Sequence, residues 1–274
     1  MHPIAAPTPT SPEAASAESA DRSAVSVEYA DGIVVIAIDR PETRNAVNLA
    51  VATGIAAALD ELDRRDDLAV GVLTGTGGTF CAGMDLKAFL QGELPVLPGR
   101  GLAGLTEAPP VKPLIAAIEG HALAGGFEIA LACDAIVAAD DALFGLPEVK
   151  RGLVAGGGGL LRLPRRLPYH VAMQLALTGA PLRAARAHAL GLVNELASPG
   201  RALAAARELA SVIAANGPLA VRATKRIVAD SGSWPADELW DRQEAITKQV
   251  FESQDAREGA GAFAEKRAPR WRGR

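Results

Sequence analysis

The sequence predicts an α/β fold closed by a helical C-terminal subdomain, and two observations carry that prediction. Between Val25 and about residue 200, short apolar runs bounded by glycine-rich or polar turns alternate with helical patterns. Parallel strands joined by helical crossovers produce such an alternation. From about Arg201 to the end, only helical patterns remain. At 274 residues and 49% hydrophobic, the chain is long enough to bury one large core with a smaller appendage.

The elements follow in order. Residues 1–22 are almost entirely Ala, Pro, Ser, Thr and acidic residues; such a stretch buries too little apolar area to offset its ordering entropy and reads as a disordered extension. It lacks the basic and then apolar regions of a secretory signal. A core domain is expected over residues 23–200 and the helical subdomain over 201–274. Val25–Tyr29 and Ile33–Ile38 flank Asp31-Gly32, a hairpin signal. Asn48 can cap a helix running to about Arg64, with Leu49, Ile55, Leu59 and Leu62 roughly on one face. Ala69–Thr74 reads as a buried strand ended by the glycine-rich loop Gly75–Gly83. After a Gly-, Pro- and Leu-rich loop (91–112), Leu114–Ile118 is the next strand, a helix starts near Gly125, and Asp134–Ala139 is a further strand. Gly191 ends a later helix before the strand Leu192–Leu196. In the last part Pro218 and Pro235 can each open a helix, and Asp255 can cap the final one.

Composition narrows the functions. Lys+Arg 28 against Asp+Glu 32 gives a net charge of −4, where a general nucleic-acid binder would show a basic excess. Aromatics are 4% of residues, too few for a base-stacking platform. No apolar run reaches the roughly 18–20 residues of a membrane span. Cys81 and Cys133 lie far apart in apolar sequence and form no CxxC pair, which points to a reducing, cytoplasmic setting rather than a disulfide scaffold or zinc site. The four histidines show no metal-ligand spacing, and no metal is expected. Gly75-Thr-Gly-Gly-Thr-Phe80 puts Phe where GxGxxG needs its last Gly, the glycines 156–159 follow no strand at fingerprint spacing, and GxxxxGK[ST] and GxSxG are absent.

The most informative stretch is Gly120–Asp134. Between Glu119 and Asp134 its only charged residue is Glu128, set among residues apolar on every side of a helix. An all-apolar helix is a buried one, and a buried carboxylate is costly or becomes protonated. The alternative is an acid in the first helical turn, favoured by the exposed N–H groups there. Gly125-Gly126 at the helix start allows backbone N–H groups to approach a ligand and stabilise developing negative charge. A second acid, Glu148, follows in Phe144-Gly-Leu-Pro-Glu148. Alone it reads as a solvated loop residue; beside Glu128 it supplies the second group that adding water across a double bond requires.

Four segments together resemble the enoyl-CoA hydratase/isomerase (crotonase) superfamily: Arg40–Asn48, Leu73–Leu86, Ala124–Asp134 and Phe144–Glu148. The ending Glu258–Arg267 is similar to that family's as well, and the resemblance spans roughly residues 24–272. It implies a crotonase-like (ClpP/crotonase) spiral of repeated ββα units followed by a helical trimerisation subdomain. It further implies that the Met84 and Gly125 N–H groups form an oxyanion hole for a thioester carbonyl, with Glu128 and Glu148 as catalytic acids. Coenzyme A would run along Arg44, Ala46 and the segment Ala82, Met84, Asp85 and Leu86. Phe263 and Lys266 would reach the coenzyme A of a neighbouring subunit in a homotrimer or hexamer. Lys266 also reads as an ordinary solvated helix residue.

The implied activity is hydration of trans-2-enoyl-CoA in fatty-acid or related acyl degradation, with no cofactor beyond the coenzyme A of the substrate. Other reactions of the same scaffold stand beside it, namely double-bond isomerisation and carnitinyl-CoA-type dehydration, as does a non-catalytic acyl-CoA binder. Three positions depart from the commonest hydratase pattern: Leu146 for Gln, Ala124 for Gly and Ala155 for Pro. Phe89, Leu90, Leu94, Val96 and Leu97 are expected to border an apolar acyl tail.

Overall fold

Asp31 (φ 51°) and Gly32 (φ 76°) both take positive φ, as a two-residue turn matched to strand twist requires. They join β1 (Val25–Ala30) to β2 (Ile33–Ile38) in antiparallel register, Val25 opposite Ile38. The computed structural model describes residues 23–274, so the expected extension over 1–22 lies outside the described residues. Asn48 opens α1 (Leu49–Arg64) by accepting the Val51 N–H on Oδ1 at 3.1 Å, the capping bond its type favours. Then come β3 (Val70–Gly75), α2 (Leu86–Leu90), a small ribbon of β4 (Val96–Leu97) and β5 (Gly101–Leu102), and β6 (Leu114–Ile118). The middle of the chain continues with β7 (His121–Leu123), α3 (Gly125–Ala132), β8 (Ala135–Ala139), β9 (Leu143–Gly145) and a 3-10 turn at Pro147–Arg151. Next are α4 (Gly159–Arg166), α5 (Tyr169–Thr178), β10 (Leu182–Arg183), α6 (Ala184–Ala189) and β11 (Glu195–Ala197). The chain ends in α7 (Ala202–Ala214), α8 (Pro218–Asp230), α9 (Leu239–Phe251) and α10 (Gln254–Ala264).

The main sheet has the order β1-β2-β3-β6-β8-β11 and is parallel from β2 onward; a second sheet has the order β10-β9-β7. β6 passes at once into β7, and β8 into β9, so each repeat sends one strand into each sheet before its helix. This is the expected spiral of ββα units. β2 is buried on both faces, which is why it reads as an unbroken apolar run rather than an alternation. Val34, Ile36 and Ile38 pack with Val51, Ile55 and Leu59 of α1, whereas Ile33 and Val35 join Val70, Val72 and Ile115 under Ala206 and Ala210 of α7. Helices α8 to α10 pack on one another. Among the described residues no helix is long and apolar enough to cross a membrane.

Two helix starts differ from expectation. Pro235 opens only a turn, its carbonyl accepting the Glu238 N–H at 3.0 Å, and α9 begins at Leu239. The cap of α10 is Ser253, which accepts the Ala256 N–H at 3.0 Å. Asp255 is instead buried and accepts the N–H groups of Arg272 and Gly273 at 2.7 and 2.8 Å. It thereby docks the basic C-terminal run, which Trp271 also anchors through Nε1 on the Ala215 carbonyl.

One side chain fixes the loops that lead to the candidate site. Asn45 is fully buried at φ 56°, a backbone state that Asn tolerates better than most residues. Its Nδ2 donates to the carbonyls of Thr76 and Thr79 at 2.9 and 2.7 Å, and its Oδ1 accepts from the Arg40 N–H at 2.9 Å. Asn45→Asp keeps the shape but turns a donor into an acceptor facing two carbonyls. Urea unfolding should show a loss of about 3 kcal/mol or more; a change within about 0.5 kcal/mol, as at an ordinary surface position, would remove Asn45 from this role.

Candidate active site

After β3 the chain folds back sharply at Gly75, where a Cβ would lie 2.3 Å from the Phe80 carbonyl oxygen. Residues 80–82 then zip against β7: Phe80 N–H donates to Glu119, Cys81 N–H to His121, and Leu123 N–H to Cys81, at 2.8 to 3.0 Å. Gly83 leaves this strip at φ 105° and its carbonyl accepts the Val47 N–H at 2.8 Å, which brings Met84 to the start of α3. Ala124, at φ 51° and ψ −128°, turns the chain so that α3 begins at Gly125. A Cβ on Gly125 would lie 3.6 Å from the Met84 nitrogen, and one on Gly83 would lie 3.3 Å from the Gly125 nitrogen. The two amides therefore stand side by side. Neither donates to a protein acceptor among the described residues, so both remain available to an incoming anionic oxygen.

The closeness depends on Gly126. A Cβ there would sit 2.4 Å from the Cys81 carbonyl oxygen, a contact with backbone that no rotamer can relieve. Leu102, 8% exposed, covers the same place: its Cδ2 lies 3.0 Å from a Cβ on Gly125 and 2.6 Å from one on Gly157. Of the expected tail-bordering residues, Phe89, Leu90, Leu94 and Val96 are exposed to solvent, while the later part of the 91–112 loop brings Leu102 against α3. No periodicity marks Leu102 for that role; its neighbours Gly101, Ala103 and Gly104, all at positive φ, are the only local signal.

Glu128 lies in the first turn of α3 and is 3% exposed, so both readings of its position hold together. It is not unpaired. The Gly159 N–H at the start of α4 donates to Oε1 at 2.9 Å, and the Gly157 N–H also acts on the carboxylate. This explains two of the four glycines, since a Cβ on Gly157 or Gly159 would lie 2.8 or 3.0 Å from a Glu128 carboxylate oxygen. Burial pushes the carboxyl above its ordinary range, while these two N–H groups and then Arg162 act against the rise.

Glu148 sits in the 3-10 turn after β9. Because β9 runs parallel to β7, with Gly145 opposite Leu123, that turn and the start of α3 leave the second sheet at the same end. Its Oε2 is buried without a hydrogen-bond partner. Burial again raises the carboxyl first; its own N–H acts against the rise and the charge of Glu128 adds to it. The two acids thus interact electrostatically. An apolar cavity of 460 Å³ adjoins Glu148, lined by Leu146, Leu160, Leu163, Ala172, Met173 and Leu177.

Of the residues expected along coenzyme A, Arg44, Ala46, Ala82, Met84, Asp85 and Leu86 are gathered on one strip. Ala82 N–H donates to Arg44 at 3.0 Å and Asp85 N–H to Val47 at 2.9 Å. Arg40 fastens both edges, donating to the Ala46 carbonyl at 2.6 Å and to Asp85 at 3.0 Å. The Asp85 side chain also caps α2 through the Lys87 and Ala88 N–H groups, so it is committed within the protein, while Leu86 is exposed. Phe263, 87% exposed, and Lys266 stand at the end of α10, which packs on α9; within one chain they are not gathered with the rest.

A strand-built spiral carrying two free, adjacent amides and two interacting interior acids defines a class of thioester enzymes. The enoyl-CoA hydratase/isomerase family model matches residues 28–274, and the chain belongs to that family. It is 42% identical over 259 residues to enoyl-CoA hydratase EchA19 of Mycobacterium tuberculosis, covering 90% of this chain and 96% of the relative. It is 43% identical over 253 residues to a carnitinyl-CoA dehydratase of Salmonella typhi, covering 88% and 95%. A crystal structure of an enoyl-CoA hydratase from M. tuberculosis superposes with a TM-score of 0.91 at 62% identity, covering 92% of this chain and all of the other.

Two neighbouring substitutions should separate space from strain. Gly126→Ala pushes α3 off the 81–84 segment and should destabilise by about 1–3 kcal/mol while abolishing turnover of a thioester substrate. Ala124→Gly relieves a conformation that costs an L-residue about 1–3 kcal/mol; offset by the flexibility of glycine in the unfolded chain, it should leave stability unchanged or raise it. Thermal melts of both variants check the signs, and a Gly126→Ala protein as active as the parent would contradict the close approach.

Proposed function

We propose that the chain is an enoyl-CoA hydratase, adding water across the 2,3 double bond of trans-2-enoyl-CoA thioesters. The observation that carries this reading is the pair of interior acids beside two free amides. Conjugate addition of water puts negative charge on the thioester oxygen, where the Met84 and Gly125 N–H groups would hold it; losing one such donor costs about 3–4 kcal/mol. A proton must leave the attacking water and another must arrive at C2. Environments that differ between two acids assign such roles. Glu128, with the Gly159 amide donating to it and the Arg162 guanidinium acting on it, is the better anion and the base toward water. Glu148, with a buried oxygen lacking any donor, is the better neutral acid and delivers the proton.

Coenzyme A would lie along Arg44, Ala46, Ala82, Met84, Asp85 and Leu86, mainly on main-chain groups, with Phe263 and Lys266 reaching it from a neighbouring subunit of a trimer or hexamer. Cytoplasmic acyl degradation is the setting this reading implies, supported by two buried free cysteines. Reversed water chemistry, dehydration of a carnitinyl-CoA-type 3-hydroxyacyl thioester, is the second reading; the Salmonella relative favours it. A panel of enoyl-CoA chain lengths followed by loss of the enoyl-thioester absorbance, with carnitinyl-CoA followed by its gain, distinguishes the two.

Glu148→Gln should lower hydration of crotonyl-CoA or a longer enoyl-CoA by about 10²–10⁴-fold with thioester binding nearly unchanged; full turnover would reject the assignment. Burial raises both carboxyls, so the ionised base is lost early as pH falls. The acid limb of kcat/KM should therefore lie above the ordinary glutamic-acid value of about 4.3, and a limb at or below that value contradicts the buried pair.

A further inference from the structure

Arg162, on the first turns of α4, has entered so far only as a charge near Glu128. It is half-buried. Its Nη2 donates to the Thr106 carbonyl at 2.5 Å, and Thr106 is itself only 2% exposed, so this guanidinium supplies a donor to a carbonyl largely withdrawn from water. The side chain folds back over the start of its own helix: a Cβ on Gly158, at φ 94°, would lie 2.4 Å from Nη1. That path runs past the Gly157–Gly159 amides and places the cation where it acts on Glu128. Thr106 ends the same contorted loop that carries Leu102, and the other end of that loop is fastened by Arg100, whose Nε donates to the Gly104 carbonyl at 2.9 Å and which pairs with Asp60 of α1.

We infer that Arg162 is a positioning residue: it clamps the Leu102 loop onto the α4 amides that hold Glu128 and supplies the positive charge facing that carboxylate. A single planar group does both because its nitrogens point in fixed, different directions, which a lysine cannot reproduce. The groups around Glu128 leave Arg162 as its main cation. From the 3-10 turn comes Glu148, of like charge, with Arg151 facing Glu148; from α4 come Arg165 and Arg166, which act on Arg162; β7, the other element packed on α3, contributes only the exposed His121. The charge of Arg162 is itself held back by burial first and by Arg166 next, as befits a cation set among other cations.

The inference rests on the hydratase reading only for its kinetic arm, and the test separates the two. In ligand-free protein, the titration midpoint of the Glu128 carboxyl, followed by carbon NMR against a Glu128→Gln reference, should rise by about one pH unit in Arg162→Gln and stay near the parent value in Arg162→Lys. In the kinetic arm, Arg162→Lys should keep KM within about threefold and the acid limb in place, yet lower kcat about tenfold because the Thr106 clamp is lost. Arg162→Gln should lower kcat further and move the acid limb upward by the same unit as the midpoint. An unmoved midpoint in folded Arg162→Gln overturns the electrostatic role, and parent-like kcat in Arg162→Lys overturns the clamp. Should Arg162→Gln fail to fold, the lysine variant decides alone: an altered Glu128 midpoint or an unreduced kcat refutes the inference. A shifted midpoint in a protein that hydrates no enoyl-CoA would sink the hydratase reading while leaving the role of Arg162 standing.

Discussion

The site depends on how closely the start of α3 approaches the Cys81–Met84 strip. Nothing larger than hydrogen fits at Gly126 against the Cys81 carbonyl, and Gly83 takes a φ of 105° to bring Met84 round. The strip is held by main-chain bonds to β7 and to Val47, and Asn45 holds the loop before it. Two unsatisfied N–H groups inside a protein are normally a cost. Here they are kept adjacent by close backbone contacts at Gly126 and Gly83 that admit no side chain, and a donor pair fixed in that way is open to an anionic oxygen.

The carboxylates show the same economy from the other side. A buried anion needs donors, and Glu128 has them from a helix start whose glycines exist to let it in. Glu148 has an oxygen with none. Both acids stand at one end of the second sheet, and the charge of Glu128 adds to the rise that burial imposes on Glu148. The asymmetry between the two carboxyls thus comes from the backbone around each group and not from any difference in the groups themselves.

Much of this was readable along the chain. The hairpin at Asp31-Gly32, the Asn48 cap and the apolar runs of β2, β3, β6 and β8 are local signals, and each element formed within a residue or so of its expected place. Glu128 stood out because a lone acid in an all-apolar helix is a local anomaly. What could not be read is relational. β7, β9 and β10 are two or three residues long, too short for periodicity, and they exist only because the spiral offers them partners. The glycines 156–159 carry no fingerprint spacing; the meaning of Gly157 and Gly159 lies in the Glu128 carboxylate beside them, Gly159 meeting it across 31 positions of sequence. Asp255 was legible as a helix acid, but its tie to the C-terminal run depends on where the tail returns.

Backbone and side chains divide the work at this site unequally, and that division bears on what any member of the family can vary. The oxyanion position is set by amides, glycines and one tolerated Ala124, so changing the side chain of Met84 leaves the donor in place. The pocket beyond it is set by side chains: Leu102 over the amides, and Leu146, Leu160 and Met173 along the cavity next to Glu148. Substitutions there alter what fits without disturbing where charge is stabilised. A chain can thus share nearly all of its main-chain architecture with both a hydratase and a carnitinyl-CoA dehydratase. Leu146, standing beside the acid where the commonest hydratase pattern has a polar amide, removes a hydrogen-bonding group and adds apolar surface at the point where an acyl tail would leave the reacting carbons. On the proposed reading, selection among thioesters would rest on this lining and not on the amides.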